Sequence, residues 1–222
     1  MLIKTPEVSA EMAQVTFETQ IVNHSETAKN LKVRVDIFNP EKQKIETLTQ
    51  QVQLSQGETK SVNFSKAISN PELWSPDSPN LYEAVARISE ENSEEILDEI
   101  DLGFGLRWFE VSTEKGFVLN GEPIKLIGAN RHQDFEGLGN ALPNKLHRSD
   151  YKTIKEMGAN VIRTAHYPQD PEVYKICDEL GLLVWTEVPV INDVTDTDAY
   201  HEVSLKMQRE QILQFFNHPS IV

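Results

Sequence analysis

Apolar and polar residues alternate along the first half of the chain, up to about Val111. A period of two indicates strands with one buried face, and turn signals rich in Asn, Gly and Pro separate them. The alternating segments are 15–21, 31–37, 52–54, 62–64 and 82–88. About seven short strands in roughly a hundred residues fit an immunoglobulin-like β-sandwich. Residues 1–111 are therefore predicted to form such a domain.

After Gly116 the pattern changes to short, nearly continuous apolar runs, which suit parallel strands buried on both faces. The runs are IKLIGAN, ANVIRTA and LLVWTEV, beginning near Ile124, Ala159 and Leu182. Helices are predicted over 149–158, over 171–180 between an Asp170 cap and a closing Gly181, and over 199–217. This βαβαβα order predicts that residues 112–222 form the first part of a TIM (β/α)8 barrel. The barrel is incomplete after about three βα units, and residues 220–222 begin its fourth strand.

Composition and charge narrow the class of protein. The hydrophobic share of 39% and the charged share of 25% are those of a soluble globular chain. A net charge of −14 argues against nucleic acid or an anionic membrane as a partner. No apolar run reaches the length of a bilayer span, and residues 1–4 lack a secretory layout, which leaves a cytoplasmic or periplasmic parent open. Cys177 is the single cysteine, which excludes an internal disulfide and indicates a small buried side chain.

Polar and aromatic side chains gather where the three predicted parallel strands end. Ligands of parallel α/β folds bind at these carboxyl ends. The candidates are Asn130 and His132 after the first run, Arg163 and His166 after the second, and Trp185 and Glu187 after the third. Hydrogen-bonding groups beside an aromatic face suit a polyhydroxylated ligand. Structural roles stay open for each: the histidines as structural hydrogen-bonding groups, Arg163 and Glu187 as an ion pair, and Trp185 as core.

Four longer segments carry a resemblance to a known family. Residues 116–135, GFVLNGEPIKLIGANRHQDF, resemble the start of the catalytic barrel of glycoside hydrolase family 2, the β-galactosidase and β-glucuronidase family. Residues 160–189, NVIRTAHYPQDPEVYKICDELGLLVWTEVP, resemble its second and third strands. NPELWSPDSPNLYEA and GFGLRWFEV resemble the immunoglobulin-like domain before that barrel. The resemblance covers nearly the whole chain.

The resemblance implies a retaining β-glycosidase that uses one glutamate as acid/base and another as nucleophile. In the family both lie beyond the position of Val222, so no catalytic residue is expected here and the isolated chain is expected to be inactive. His132 and His166 match histidines that contact substrate hydroxyls. Arg163 matches the arginine that bonds the nucleophile and helps to keep it ionised. Asn130 and Arg131 complete the same Asn-Arg-His motif and are assigned to shaping the site.

The resemblance also bears on three positions near the end of the third strand. Glu187 matches a family position where an ion pair or hydrogen bond is expected, and it is not nominated as a catalytic carboxylate. Some relatives bind magnesium through a Glu and a His just beyond this strand, and those positions hold Ile191 and Asp193 here. Isoleucine cannot ligate a metal, so a magnesium site is expected to be incomplete and no cofactor is expected in this chain.

The substrate favoured by the resemblance is a terminal β-galactoside, because the loop NRHQDFEGLGN resembles the β-galactosidase branch. β-Glucuronidase and β-mannosidase activities are the alternatives within the family. A non-catalytic sugar-binding module that uses the sandwich is the alternative from another class. Strand edges and helix stripes left open by a partial barrel also predict self-association.

Overall fold

The computed structural model describes residues 1–190 and 192–222. By its contacts the chain divides into two compact units, Met1–Leu73 with Asn80–Leu106 and Trp74–Pro79 with Arg107–Val222. The predicted domain boundary between residues 111 and 112 falls inside a short strand of the second unit, Phe109–Ser112. In the described part of the chain, no helix combines the length and apolar character needed to cross a membrane.

The first unit is a β-sandwich of seven antiparallel strands. They are β1 (Leu2–Val8), β2 (Met12–Val22), β3 (Lys29–Phe38), β4 (Lys44–Leu54), β5 (Thr59–Ser69), β6 (Tyr82–Glu90) and β7 (Ile96–Phe104). The sheets have the orders β1-β2-β5 and β4-β3-β6-β7. The alternating side chains predicted to face inward, such as Val15, Phe17, Val33 and Val35, are fully buried in one core. The acidic run that begins at Glu90, the last residue of β6, continues through the turn to Glu95, just before β7.

The second unit contains two small sheets and three helices. β8 (Phe109–Ser112), β9 (Gly116–Leu119) and β10 (Glu122–Pro123) form an antiparallel sheet. β11 (Gly128–Arg131), β12 (Val161–Thr164) and β13 (Leu183–Thr186) form a parallel sheet in that order. The helices are α1 (Asn144–Glu156), α2 (Pro171–Leu180) and α3 (Asp198–Phe215). Cys177 is fully buried in the core between sheet and helices, as predicted.

Local chemistry sets the limits of these elements. Asp170 caps α2 by accepting a hydrogen bond from the Glu172 backbone N–H, and Gly181 ends the helix in the left-handed conformation at φ 69°. Both ends agree with the prediction. α1 begins at Asn144, five residues before its predicted start, because the chain turns into the helix directly after Pro143.

The first apolar run is strand only in its second half. Ile124 pairs with Phe117 of β9 through its backbone N–H, and Leu126 and Ile127 are exposed. The expectation of a strand buried on both faces from Ile124 onward is therefore wrong, and β11 starts at Gly128. A Cβ at Gly128 would collide with the Val161 carbonyl, so this close approach of β11 to β12 requires glycine.

Residues 220–222 lie parallel to β13. The Val184 backbone N–H donates to the Ser220 carbonyl at 2.8 Å, and the Val222 N–H donates to the Val184 carbonyl at 3.2 Å. The Arg107 guanidinium donates to the carbonyl oxygens of Pro219 and Ile221. The predicted start of a fourth parallel strand is confirmed as a bridge between Val184 and Ile221.

Candidate functional site

The carboxyl ends of the three parallel strands bring the predicted site residues into one row. In the registered ladder Asn130 of β11 lies beside Arg163 of β12, and Arg163 lies beside Trp185 of β13. Neighbouring parallel strands are about 4.8 Å apart, so side chains in one row can touch. His132, His166 and Glu187 follow these three strand ends within two residues.

Arg163 and Glu187 form a bidentate ion pair. The Arg163 Nε lies 2.8 Å from Glu187 Oε1, and the Arg163 Nη2 lies 2.9 Å from Oε2. The Trp185 Nε1–H also donates to Oε1 at 3.2 Å. Hydrogen bonding by Arg163 is the main cause that holds the pKa of Glu187 below its usual range. Glu187 is therefore an ionised carboxylate with a structural partner.

His166 contacts the same arginine. Its Nδ1 lies 2.9 Å from Arg163 Nη2 and 3.5 Å from Glu187 Oε2. A guanidinium has no acceptor, so the contact with Arg163 is a hydrogen bond in the tautomer in which Nδ1 of His166 accepts and the proton lies on Nε2. The Nε2–H is then available to donate to a ligand oxygen. Arg163 thus fixes the tautomer of His166 and the orientation of Glu187 together.

His132 and the aromatic rings complete the exposed part of the cluster. The rings of His132 and His166 meet edge to face, with centroids 5.3 Å apart and an interplanar angle of 82°. Tyr167 lies 6.0 Å from His132, and its hydroxyl accepts from the Gln133 N–H at 3.0 Å. Trp185 is 58% exposed, so it is not a core side chain here. An exposed indole beside donors and a carboxylate is suited to packing on a sugar ring.

A buried polar network lies behind the cluster, and sequence reasoning missed most of it. Arg131 donates from Nη1 to Gln169 Oε1 at 2.9 Å and from Nη2 to Asp150 Oδ2 at 2.8 Å. Its Nη2 also lies 3.1 Å from Nδ1 of His147, whose pKa is lowered by burial and then by the charge of Arg131. Tyr151 donates to Gln169 Oε1 at 3.0 Å. The sequence signal for this network is a charged residue, Arg131, directly after the apolar run IKLIGAN.

Of the two predicted magnesium positions, only Asp193 is among the described residues. Ile191 is outside the described residues, and Asp193 is exposed. No group of three or more potential metal ligands occurs in residues 1–190 and 192–222. The incomplete magnesium site stays a prediction.

Two family models match the chain. The model described as Glycosyl hydrolases family 2 matches residues 2–107, and the model described as Glycosyl hydrolases family 2, TIM barrel domain, matches residues 109–222. The chain belongs to glycosyl hydrolase family 2. The predicted fold class, a sandwich followed by the first part of a TIM barrel, is confirmed.

Relatives within the family have two different named activities. The chain is 40% identical to a β-galactosidase of Thermoanaerobacter pseudethanolicus over 153 residues, which are 68% of this chain and 20% of that protein. It is 33% identical to a β-glucuronidase of Bacteroides fragilis over 178 residues, which are 77% of this chain and 25% of that protein. The crystal structure of a Bacteroides uniformis β-glucuronidase matches the whole chain with a TM-score of 0.96 and 38% identity. The chain covers 26% of that structure, so it spans about a quarter of the length of its relatives.

Proposed function

We propose that this chain forms one wall of the sugar site in a retaining β-glycosidase. The observation that carries the proposal is the contact of Arg163 with both Glu187 and His166 at the carboxyl ends of parallel strands in a family 2 barrel domain. His132 and His166 would donate to and accept from sugar hydroxyls, and Trp185 would pack on an apolar sugar face. Asn130, which lies in the same row, would shape the site.

Glu187 does not suit the role of general acid. A retaining glycosidase needs a carboxylic acid of raised pKa to protonate the leaving group, and a second carboxylate to attack. The pKa of Glu187 is lowered instead, chiefly by hydrogen bonds from Arg163. The family resemblance implies that both catalytic glutamates lie outside these 222 residues. We therefore expect no turnover by this chain by itself and turnover only by a longer protein that contains it.

β-Glucuronides are the first substrate class to test. The β-glucuronidase structure is similar over the entire chain at 38% identity, slightly above the 36% identity of a putative β-galactosidase structure that matches 99% of the chain. β-Galactosides are the second class, since the 40% identity to a β-galactosidase over 68% of the chain and the loop after β11 both favour them. β-Glucuronides are thus placed before β-galactosides, whereas the loop NRHQDFEGLGN alone favours β-galactosides.

The test is turnover of aryl β-glucuronide, β-galactoside and β-mannoside by this chain and by the longer protein. We expect the longer protein to hydrolyse one of the first two, and Arg163→Ala in that protein to lower kcat/KM by about 100-fold. Arg148→Ala is the matched control, because Arg148 also pairs with a carboxylate, Glu179, but on the surface of the helices. No turnover of any sugar by the longer protein would contradict the proposed activity. Hydrolysis by the 222-residue chain would contradict its inactivity.

A sugar-binding module built on the sandwich is less well supported. The first unit has a cleft of about 510 Å³ at one end, between the ends of β2, β3, β6 and β7. No Trp, Tyr or Phe is among the described residues that line this cleft, so it lacks the large aromatic faces on which sugars stack, and His24 is the one ring among those residues. Sugar binding by this chain that survives His132→Ala would favour the sandwich, and its loss would favour the strand ends.

A further inference from the structure

One backbone oxygen joins the two histidine-bearing strand ends. The carbonyl of Arg131, the residue before His132, accepts from the Ala165 N–H at 3.2 Å and from Gln169 Nε2 at 2.6 Å. Ala165 precedes His166 by one residue, and Gln169 follows it by three. Both ends of the loop that carries His166 are therefore held at the oxygen beside His132.

Gln169 is itself held by three further partners, two at its side-chain oxygen and one at its backbone N–H. Its Oε1 accepts from Arg131 Nη1 at 2.9 Å and from the Tyr151 hydroxyl at 3.0 Å. Its backbone N–H donates to the Tyr174 hydroxyl at 3.1 Å, and the residue is 4% exposed. These donors and acceptors allow one orientation of the amide, in which Nε2 faces the Arg131 carbonyl. We call this set of contacts the Gln169 bridge.

We propose that Gln169 is a positioning residue that sets the spacing of His132 and His166 through the Arg131 carbonyl. The proposal rests on the sugar-site function proposed above. Loss of the bridge would release one end of the His166 loop and change the edge-to-face contact of the two rings, now 5.3 Å between centroids. A displacement of about 1 Å remote from the chemistry can lower a rate by about 100-fold.

Asn160 supplies a matched amide bridge at the opposite ends of the same two strands. Its Oδ1 accepts from the Ile127 N–H at 2.8 Å, and its Nδ2 donates to the Lys125 carbonyl at 2.9 Å. The Asn160 bridge therefore also joins the segments of β11 and β12, but at their amino ends. It lies away from both histidines, which follow the carboxyl ends.

The first experiment uses this chain and the imidazole resonances of its six histidines. Gln169→Glu keeps the size and the acceptor for Arg131 and Tyr151, and places an oxygen where Nε2 donated. We expect it to shift the resonances of His132 and His166 and to remove the nuclear Overhauser effect between their rings. Asn160→Ala should leave both unchanged. Gln169→Leu, which removes every side-chain hydrogen bond, should give the same shifts if Gln169→Glu does not fold.

The second experiment measures kcat/KM in the longer protein. Gln169→Glu should lower it by about 100-fold, and Asn160→Ala should leave it unchanged. Unchanged histidine resonances in both Gln169 variants would overturn the proposal, as would shifted resonances with unchanged kcat/KM. If the longer protein hydrolyses no sugar, the proposed function fails, while the resonances still decide whether Gln169 positions the histidines.

Discussion

At the scale of single residues, Arg163 organises the site because its guanidinium donates in two directions. One edge binds the Glu187 carboxylate, and Nη2 also reaches His166. Arginine suits this role since its planar fork matches a carboxylate bidentately and keeps its charge at every physiological pH. Glu187 in turn orients the Trp185 indole through Nε1. One ion pair thus sets the directions of a histidine and an aromatic ring.

The ion pair predicts a pH-dependent contribution to stability. The pKa of Glu187 is depressed in the folded chain from its ordinary value of 4.5. Stabilisation by ionised Glu187 is therefore full above about pH 4.5 and is lost as the pH falls through the lower folded value. We expect Glu187→Gln to lower the free energy of unfolding by about 1 kcal/mol at pH 7, and by progressively less in acid.

Denaturant unfolding at a series of pH values checks this expectation. Glu179→Gln is the control, because it breaks an exposed pair with Arg148 and should cost little at any pH. The expectation would be contradicted if the Glu187→Gln variant were as stable as the wild type at pH 7, or if it lost the same free energy of unfolding at every pH. The Arg163–Glu187 ion pair would then not be the cause of a pH-dependent stability.

At the scale of elements, α2 is the best example of what local sequence can predict. Asp170 before Pro171 and Gly181 after Leu180 are start and stop signals that act within a few residues. Gly181 has a second constraint that is not local, since a Cβ there would collide with the Pro76 carbonyl oxygen. Its conformation and its packing both require glycine.

Gly181→Ala should therefore lower the free energy of unfolding by more than the strain of the left-handed backbone conformation alone. We expect a loss of about 2–4 kcal/mol from the left-handed conformation together with the collision. Gly116→Ala is the matched control, because Gly116 has the same φ of 69° and nothing within 4 Å of an added Cβ. It should lose about 1 kcal/mol. If thermal or denaturant unfolding gave the same loss of stability for both variants, the collision with Pro76 would contribute nothing.

Other elements depend on partners that are distant in sequence, and these were predicted less well. β1 has no regular alternation over Leu2–Val8, and it forms because β2 offers an edge. β11 was predicted to begin near Ile124, but residues before Gly128 bind Phe117 and the Asn160 side chain instead. The apolar residues of this run do not by themselves indicate Phe117 or Asn160 as partners.

In the candidate site, too, some residues could be predicted from the sequence pattern and others depend on partners distant in sequence. The row of Asn130, Arg163 and Trp185 follows from three parallel strands that end together, so sequence pattern and resemblance were enough to nominate it. Gln169 was missed because its partners Arg131 and Tyr151 are 38 and 18 residues away, and no periodicity links them. Side-chain networks of this kind become visible only when the fold brings the elements together.

At the scale of the whole molecule, each unit has its own hydrophobic core. The sandwich core includes Ile37 and the barrel core includes Ile176, both fully buried, and the two cores share no residue. Each unit holds on the order of 100 residues, which is the size of an ordinary independent domain. The molecule is therefore expected to contain two cooperative folding units.

Self-association remains a prediction at this scale. α3 and the residue after it carry exposed apolar side chains, namely Val203, Leu205, Ile212, Leu213 and Phe216. We expect these side chains to favour binding of a second copy of the chain, because exposed apolar surface drives association. Light scattering should give a mass that rises with concentration, and Leu205→Glu should reduce it. Met157→Glu, at an equally exposed site on α1's end, should not. A monomer at all concentrations would contradict the expectation.

The two cores predict two separable unfolding transitions in calorimetry. Ile37→Ala and Ile176→Ala remove the same group from fully buried positions, and each should destabilise its own unit by about 2–5 kcal/mol. Because the cores share no side chain, each substitution should lower one transition temperature and leave the other in place. If both substitutions lowered a single transition equally, the chain would unfold as one cooperative unit, and the expectation of two separate transitions would be wrong.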